Sequence, residues 1–234
     1  MNNDLVGTCK KAAADKAVEK SIDRNMILGI GSGSTVVYAV KKIAEMNKSQ
    51  DLNLKCIPTS FQSSQLIIEN RLNLVSLDQY PRIDVTIDGA DEIDKHLNLI
   101  KGGGGCLVQE KIVASNSQEL IIIADYLKKS EFLGENWKKG IPVEIIPLAR
   151  VPLMDKMKLL GGKPQLRMAQ AKVGPLITDN GNFILDVDFG IIESPMELNR
   201  KICMIPGVVD TGLFIGMASK AFIGEKDGGV LCLS

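Results

Sequence analysis

The sequence contains one histidine, His96, and one tryptophan, Trp137, in 234 residues. A lone histidine argues against a Ser-His-Asp triad and against a zinc site built on imidazoles. His96 lies just before an apolar stretch and reads as a surface residue; Trp137 reads as core or interface. The five cysteines (Cys9, Cys56, Cys106, Cys203, Cys232) are odd in number, scattered and never in a CxxC pair. They suggest neither a disulfide framework nor a metal ribbon, and most are expected to be small buried hydrophobes. Charge of either sign is not in excess, since 28 Lys and Arg balance 28 Asp and Glu. Without a basic footprint, nucleic acid is not an expected partner. No run of 18 apolar residues occurs, and MNNDLVGTCKKAAADKAVEK has no apolar core. Neither a membrane span nor a signal peptide is expected, and the acidic Asp4 and Asp15 argue against a transit peptide. The expected location is the cytoplasm.

What is present is an average globular composition, 45% hydrophobic and 24% charged. A chain of this length buries about 70% of its unfolded surface. Strand and helix patterns alternate. Residues 8–22 place Cys9, Ala12, Ala13 and Ala17 on one helical stripe. MILGIG (26–31) ends in glycine and leads into a helix-like stretch at 36–46. The order repeats through 52–58, 59–70, 72–77 and the strand 83–88. It continues through 96–100, a helix at 106–115 and ELIIIAD (119–125). Runs such as LIII and ILGI lack polar alternation, as strands buried on both faces of a parallel sheet do. The fold class is therefore α/β, with a doubly wound sheet.

The pattern changes near residue 136. IPVEIIPL (141–148) reads as a strand, 150–160 as a helix, and 176–189 as an antiparallel hairpin turning at Asn180-Gly181, with Phe183, Leu185, Val187 and Phe189 on one face. A helix at 194–204 follows. The expected division is 1–138 with 205–234 as the larger domain, closed by strands at 212–216, 220–224 and 230–234, and 139–204 as a small inserted α+β domain.

Four polar loops fall at the carboxyl ends of expected parallel strands, where open α/β sheets bind ligands. GIGSGST (29–35) offers Ser32, Gly33, Ser34 and Thr35 at a helix N-terminus, a setting suited to a phosphate. Its bland reading is a glycine turn with Ser34 as N-cap. DGADEID (88–94) holds four carboxylates; Asp88 and Asp91 on one turn could share a cleft and exchange protons with sugar hydroxyls. A divalent-cation site is its rival reading and a solvated turn its plain one, adopted for Asp94. KGGGGCLVQEK (101–111) sets four glycines between Lys101 and a helix carrying Glu110 about two turns on. Lys101 and the loop amides could stabilise an oxyanion while Glu110 removes a carbon-bound proton. Lys128, after ELIIIAD, could meet the same anion. TSFQSS (59–64) could cap a helix through Ser60 or line the sugar pocket.

Together with LITDNGNFILD (176–186) and IPGVVDTGLF (205–214), these strings resemble the A-type ribose-5-phosphate isomerase family, in its eukaryotic branch, over nearly the whole chain. The resemblance implies a Rossmann-like larger domain with a ferredoxin-like insert. It also implies an aldose-ketose isomerase converting ribose 5-phosphate and ribulose 5-phosphate through an enediolate, in the non-oxidative pentose phosphate pathway, as a homodimer or homotetramer with no obligatory cofactor or metal. By motif, Ser32 to Thr35 would hold the phosphate. Asp88, Gly89, Ala90 and Asp91, with Lys101, Gly102, Gly103 and Gly104, would line the sugar site. Glu110 would accept the proton, and Asp91, with Asp88 as the alternative, would assist ring opening. Lys128 matches a substrate-binding lysine, and Lys10 an N-terminal lysine near the phosphate. A non-catalytic sugar-phosphate sensor on the same fold is the alternative; an amino-sugar phosphate deaminase or an acyl-CoA transferase fits less well.

Overall fold

The computed structural model describes residues 3–234. Met1 and Asn2, at the start of the first expected domain, lie outside the described residues. In chain order the elements are α1 (Asn3–Ser21), β1 (Ile27–Ile30), α2 (Val36–Gln50), β2 (Lys55–Pro58), α3 (Phe61–Glu69), β3 (Asn73–Leu74), β4 (Ile83–Asp88), β5 (Glu92–Ile93), β6 (Leu99–Ile100), α4 (Leu107–Ser115) and β7 (Ser117–Asp125). They continue with β8 (Ile141–Ile145), α5 (Arg150–Leu159), β9 (Lys163–Leu166), β10 (Phe183–Asp188), α6 (Pro195–Cys203), β11 (Val208–Thr211), β12 (Leu213–Phe214), β13 (Lys220–Gly224) and β14 (Val230–Leu233). Two compact units result. One comprises residues 3–90, Gln109–Lys129 and Met217–Ser234; the other comprises Asp91–Val108 and Ser130–Gly216.

The first unit is built on a seven-stranded sheet in the order β14-β13-β7-β4-β1-β2-β3. Its pairings are parallel except for β13 with β14. Alternate residues of its strands (Leu28, Ile30, Val85, Ile87, Ile121, Ile123) pack with Ala13, Ala17 and Val18 of α1 and with Val36, Val40 and Ile43 of α2. The opposite face buries Ile57 against Val113 of α4. Both faces are covered, which is why these strands read as unbroken apolar runs. The chain winds from β1 outward through β2 and β3, then returns to lay β4 against the other side of β1. That reversal makes the carboxyl ends of β1 and β4 the switch point of the sheet, the place where α/β folds hold ligands.

The second unit has a four-stranded antiparallel sheet, order β11-β8-β10-β9, and a three-stranded one, β12-β6-β5. The run β8-α5-β9-β10-α6-β11 with this strand order is the ferredoxin-like βαββαβ arrangement. Val143, Ile145, Leu185 and Val187 pack under Leu153 and Met157 of α5 and Ile202 of α6.

Several expectations are corrected. The strand partner of β10 is not the 176–182 stretch but β9 and β8. Residues 178–182 instead form a turn, in which the side chains of Thr178, Asn180 and Asn182 all donate to Oε1 of Glu144, a fully buried carboxylate on β8. The expected apolar face of Phe183, Leu185, Val187 and Phe189 does enter the core. The stretch 212–216 does not extend the large sheet, because Leu213 and Phe214 pair with β6. For the same reason the second unit is wider than 139–204. Of the cysteines, only Cys9 and Cys56 are buried, whereas Cys203 and Cys232 are exposed, and no disulfide joins any of the five.

A first prediction follows for the thiols. Burial pushes the Cys56 thiol up to about 12. Burial, and after it the negative charge of Asp125, raises that of Cys9. Only the thiolate attacks a disulfide reagent. A polar aromatic disulfide at pH 8 is therefore expected to modify Cys203 and Cys232 first, as read by peptide mass spectrometry, and to reach Cys9 and Cys56 only in denaturant. Rapid native labelling of Cys56 would contradict its burial.

Candidate active site

In the first unit the loop after β1 carries the expected phosphate cradle. Gly31 has no Cβ because Asp88 stands in its place: a Cβ there would lie 2.1 Å from Asp88 Oδ1. That close approach lets Oδ1 accept hydrogen bonds from the backbone N–H of Ser32 (3.1 Å) and of Gly89 (2.7 Å). Asp88, fully buried at the end of β4, thereby locks the cradle to the neighbouring strand. Gly33 follows with φ +105, a conformation that L side chains rarely adopt. The turn delivers the chain to α2, whose N-cap position is Thr35 rather than Ser34, and no side chain caps it. The first amides of a 15-residue helix thus face the loop, the arrangement that favours anions. Ser34 is exposed, and its Oγ accepts a hydrogen bond from Lys10 Nζ (3.0 Å), which also lies 4.0 Å from Asp125 Oδ2. An ammonium group therefore stands at the cradle, on a lysine 24 residues upstream of the serine it touches.

The start of α3 forms a wall of the same loop. Ser60 caps this helix in a reciprocal box with Ser63. The Ser32 hydroxyl donates to Ser60 Oγ (2.6 Å) and lies 2.9 Å from Thr59 Oγ1. Ser60 thus caps the helix, one of the two roles open to it, and its hydroxyl also touches the loop after β1. Glu110 lies in the first turn of α4, nearer the glycines than the two turns expected, and is 5% exposed. At the end of β7, Asp125 Oδ1 accepts the Leu127 N–H (3.1 Å) and turns the chain so that Lys128 follows in a half-buried 3-10 turn.

The second unit holds the glycine loop. Asp91 Oδ2 accepts the Gly103 N–H (2.7 Å), and the ring of Trp137 abuts Gly103, where an added Cβ would lie 2.9 Å from Cη2. The Lys101 side chain is buried with Nζ 5.4 Å from the centre of the Phe214 ring, a cation–π contact. Arg167, which the sequence reading passed over, grips this loop from outside. Nη1 donates to the carbonyl oxygens of Gly102 (2.9 Å) and Gly103 (3.2 Å), while Nε (2.8 Å) and Nη2 form a forked pair with Asp186. The sequence signal for it was faint: an arginine one residue past a short edge strand, 65 residues from its carbonyl partner.

The acidic cluster at 88–94 resolves residue by residue. Asp88 holds the cradle and Asp91 the glycine loop. Glu92, fully buried, accepts the backbone N–H groups of Gly134 and Asn136 (2.6 Å each). Asp94 is not a solvated turn residue, as expected, but 5% exposed; it accepts the N–H groups of His96 and Asn98 (2.8 Å each) and the Asn98 amide (2.9 Å), an Asx-type turn that ties β5 to β6. His96 is exposed. Among the described residues no group of three or more His, Cys, Asp or Glu side chains is disposed to hold a metal ion, and no helix is long and apolar enough to cross a membrane.

Comparison with known proteins gives this geometry its context. Residues 55–228 match the family model described as ribose 5-phosphate isomerase A (phosphoriboisomerase A). The ribose-5-phosphate isomerase of Sus scrofa is 57% identical over 222 residues, covering 94% of this chain and 72% of that protein. That of Dictyostelium discoideum is 53% identical, covering 94% and 95%. The solved ribose 5-phosphate isomerase A of Methanocaldococcus jannaschii superposes with a TM-score of 0.91 at 40% identity, with both chains covered in full. A D-ribose-5-phosphate isomerase solved in complex with phospho-erythronic acid superposes with a TM-score of 0.93 at 38% identity, again over the whole of both chains. With the cradle at the switch point of its sheet and this likeness along its length, the chain belongs to the ribose 5-phosphate isomerase A family.

Proposed function

We propose that the chain interconverts D-ribose 5-phosphate and D-ribulose 5-phosphate through an enediolate, with the phosphate held by Ser32, Gly33, Ser34 and Thr35 and the proton carried by Glu110. The observation that carries this reading is the cradle itself: a tight glycine turn at a helix N-terminus, locked by Asp88 and faced by the Lys10 ammonium. Aldose and ketose are isomers that differ in the placement of two hydrogens, one on carbon and one on oxygen. The Glu110 carboxylate takes the C2 proton, the C–H electron pair becomes the C1–C2 double bond, and the C1 carbonyl oxygen becomes an oxyanion. Return of the proton to C1 and passage of the O2 proton to O1, which restores the C2 carbonyl, complete the ketose. Lys101 and the amides of Gly102 to Gly104 serve the oxyanion, a role that fixed donors fill without reorganising. Asp91, with Asp88 as the alternative, moves a hydroxyl proton in ring opening, and Lys128 meets the anionic substrate. Grip on the remote phosphate supplies the binding energy that orients C1 and C2. Assembly as a homodimer or homotetramer and a cytoplasmic location belong to the same reading and rest on the family resemblance.

A proton NMR time course with ribose 5-phosphate in deuterated buffer, with and without EDTA, tests it. Ribulose 5-phosphate should appear with deuterium at C1, at a rate EDTA does not change. Binding without conversion would replace the isomerase by a sensor, and loss of turnover in EDTA would require a metal.

A further inference from the structure

Gln62 is the second residue of α3 and an exposed side chain of TSFQSS, yet it does not point idly into solvent: its Oε1 accepts the Gly33 N–H at 2.8 Å. The assignment of oxygen rather than nitrogen to this contact follows from chemistry, since a backbone N–H can only donate. Gly33 is the residue whose positive φ opens the cradle, so its N–H is one of the donors the cradle presents to an anion. The contact is not a chance of side-chain placement. The backbone of Gln62 is fixed by the Ser60–Ser63 capping box, and Ser60 is fixed to the cradle through Ser32. Helix start and cradle loop therefore hold Gln62 and Gly33 in reach of each other.

We infer that Gln62 is a phosphate-positioning residue that reverses its hydrogen-bonding sense: its amide oxygen satisfies the Gly33 N–H in the conformation seen here, and its amide NH2 donates to a phosphate oxygen once that N–H is given over to the substrate. A carboxamide carries acceptor and donor on one planar carbon, and its terminal torsion is broad and two-fold, so half a turn exchanges them. Neither arrangement leaves the glycine amide without an acceptor. No other uncharged side chain of this length serves both. Methionine offers neither, and ionised glutamate accepts but cannot donate and adds charge of the same sign as the phosphate. This role rests on the isomerase reading only for the identity of the substrate; the phosphate contact stands apart from turnover.

The test uses the full chain and two substitutions, Gln62→Glu and Gln62→Met, both at an exposed position where the fold is not at stake. Titration calorimetry with inorganic phosphate and steady-state kinetics with ribose 5-phosphate are read side by side. For Gln62→Glu, loss of a hydrogen bond to a charged group plus like-charge repulsion should raise Kd for phosphate and KM by about tenfold or more, with kcat within about threefold of the parent. For Gln62→Met, both constants should rise by about three- to tenfold, the loss of the hydrogen bond alone. Unchanged phosphate affinity in Gln62→Glu would overturn the proposal. So would tighter binding in Gln62→Met, which would make Gln62 only a competitor for the Gly33 amide. A fall in kcat at constant phosphate Kd would overturn it too, by placing the residue at the reacting carbons. Failure of the isomerase reading is seen separately, as a parent chain that binds phosphate without converting the sugar.

Discussion

Glu110→Gln should retain the parent's melting temperature and phosphate affinity while kcat for ribose 5-phosphate falls by about a hundred- to ten-thousand-fold, the contribution general-base transfer makes. The substitution is isosteric, so the first turn of α4 loses no packing, and the neutral amide meets no new desolvation in a site where only 5% of the residue is exposed. What it loses is the capacity to take a proton from carbon. The phosphate cradle lies on the β1–α2 loop, where Asp88, Lys10, Ser60 and Gln62 contact it. Binding and chemistry should therefore separate. Stopped-flow turnover and phosphate calorimetry on one preparation decide the matter. Parental turnover in Glu110→Gln would remove this residue from the proton-transfer step, and lost phosphate binding would show that the variant had disturbed the loop rather than the chemistry. Deuterium incorporation at C1 should disappear along with turnover, because the same carboxylate exchanges the proton with solvent.

The second large effect is expected at Arg167. Its guanidinium joins the carboxylate of Asp186 to the carbonyls of Gly102 and Gly103, and both members of the pair are mostly buried, at 14% and 18% exposure. Arg167→Met keeps the aliphatic stem but leaves the Asp186 charge and two carbonyls without their donor. Breaking a fully buried pair this way costs about 3–5 kcal/mol, and partial exposure lowers the figure to about 2 kcal/mol. For a chain of this size that is a fall of about 4–8 °C in Tm. Displacement of the glycine loop, even by an ångström, costs up to about a hundredfold in rate, so kcat should fall by about tenfold or more. Arg167→Lys should recover little of either, because one ammonium cannot reproduce a fork that spans a carboxylate and two carbonyls. Asp186→Asn separates the two effects: stability should fall while Arg167 still holds the loop, and kcat should stay closer to the parent. A melting temperature and kcat both unchanged in Arg167→Met would mean that Asp91 and Trp137 alone hold the loop.

Much of this was legible along the chain, and for physical reasons. The parallel sheet declares itself because strands buried on both faces cannot alternate polar with apolar residues, and Leu28, Ile30, Ile121 and Ile123 are such positions. The cradle declares itself because a turn that exposes amides to a ligand needs glycine at fixed places, and the reason Gly31 cannot be anything else is the Asp88 carboxylate against it. Where reading along the chain failed, polar side chains had been judged by their neighbours in sequence. Asp94 looked solvated and is buried in its own turn; the TDNGN turn looked like a hairpin and is a cap gathered by Glu144; the strand β9, with its proline and exposed residues, gave no apolar signal at all.

The sequence by itself determined the local geometry of the loops, the alternation that makes an α/β fold, and the residue types able to hold a phosphate and move a proton. These are set by short-range sterics and by burial of apolar faces, both of which leave periodic marks. Only the tertiary structure decided which donor meets which acceptor: Lys10 with Ser34, Gln62 with Gly33, Glu92 with the 134–137 loop and Arg167 with the glycine loop. Such pairs join residues 24 to 65 positions apart. A hydrogen bond is satisfied by any partner that arrives at the right distance and angle, so it leaves no period in the sequence. The topology of the sheet brings the partners together.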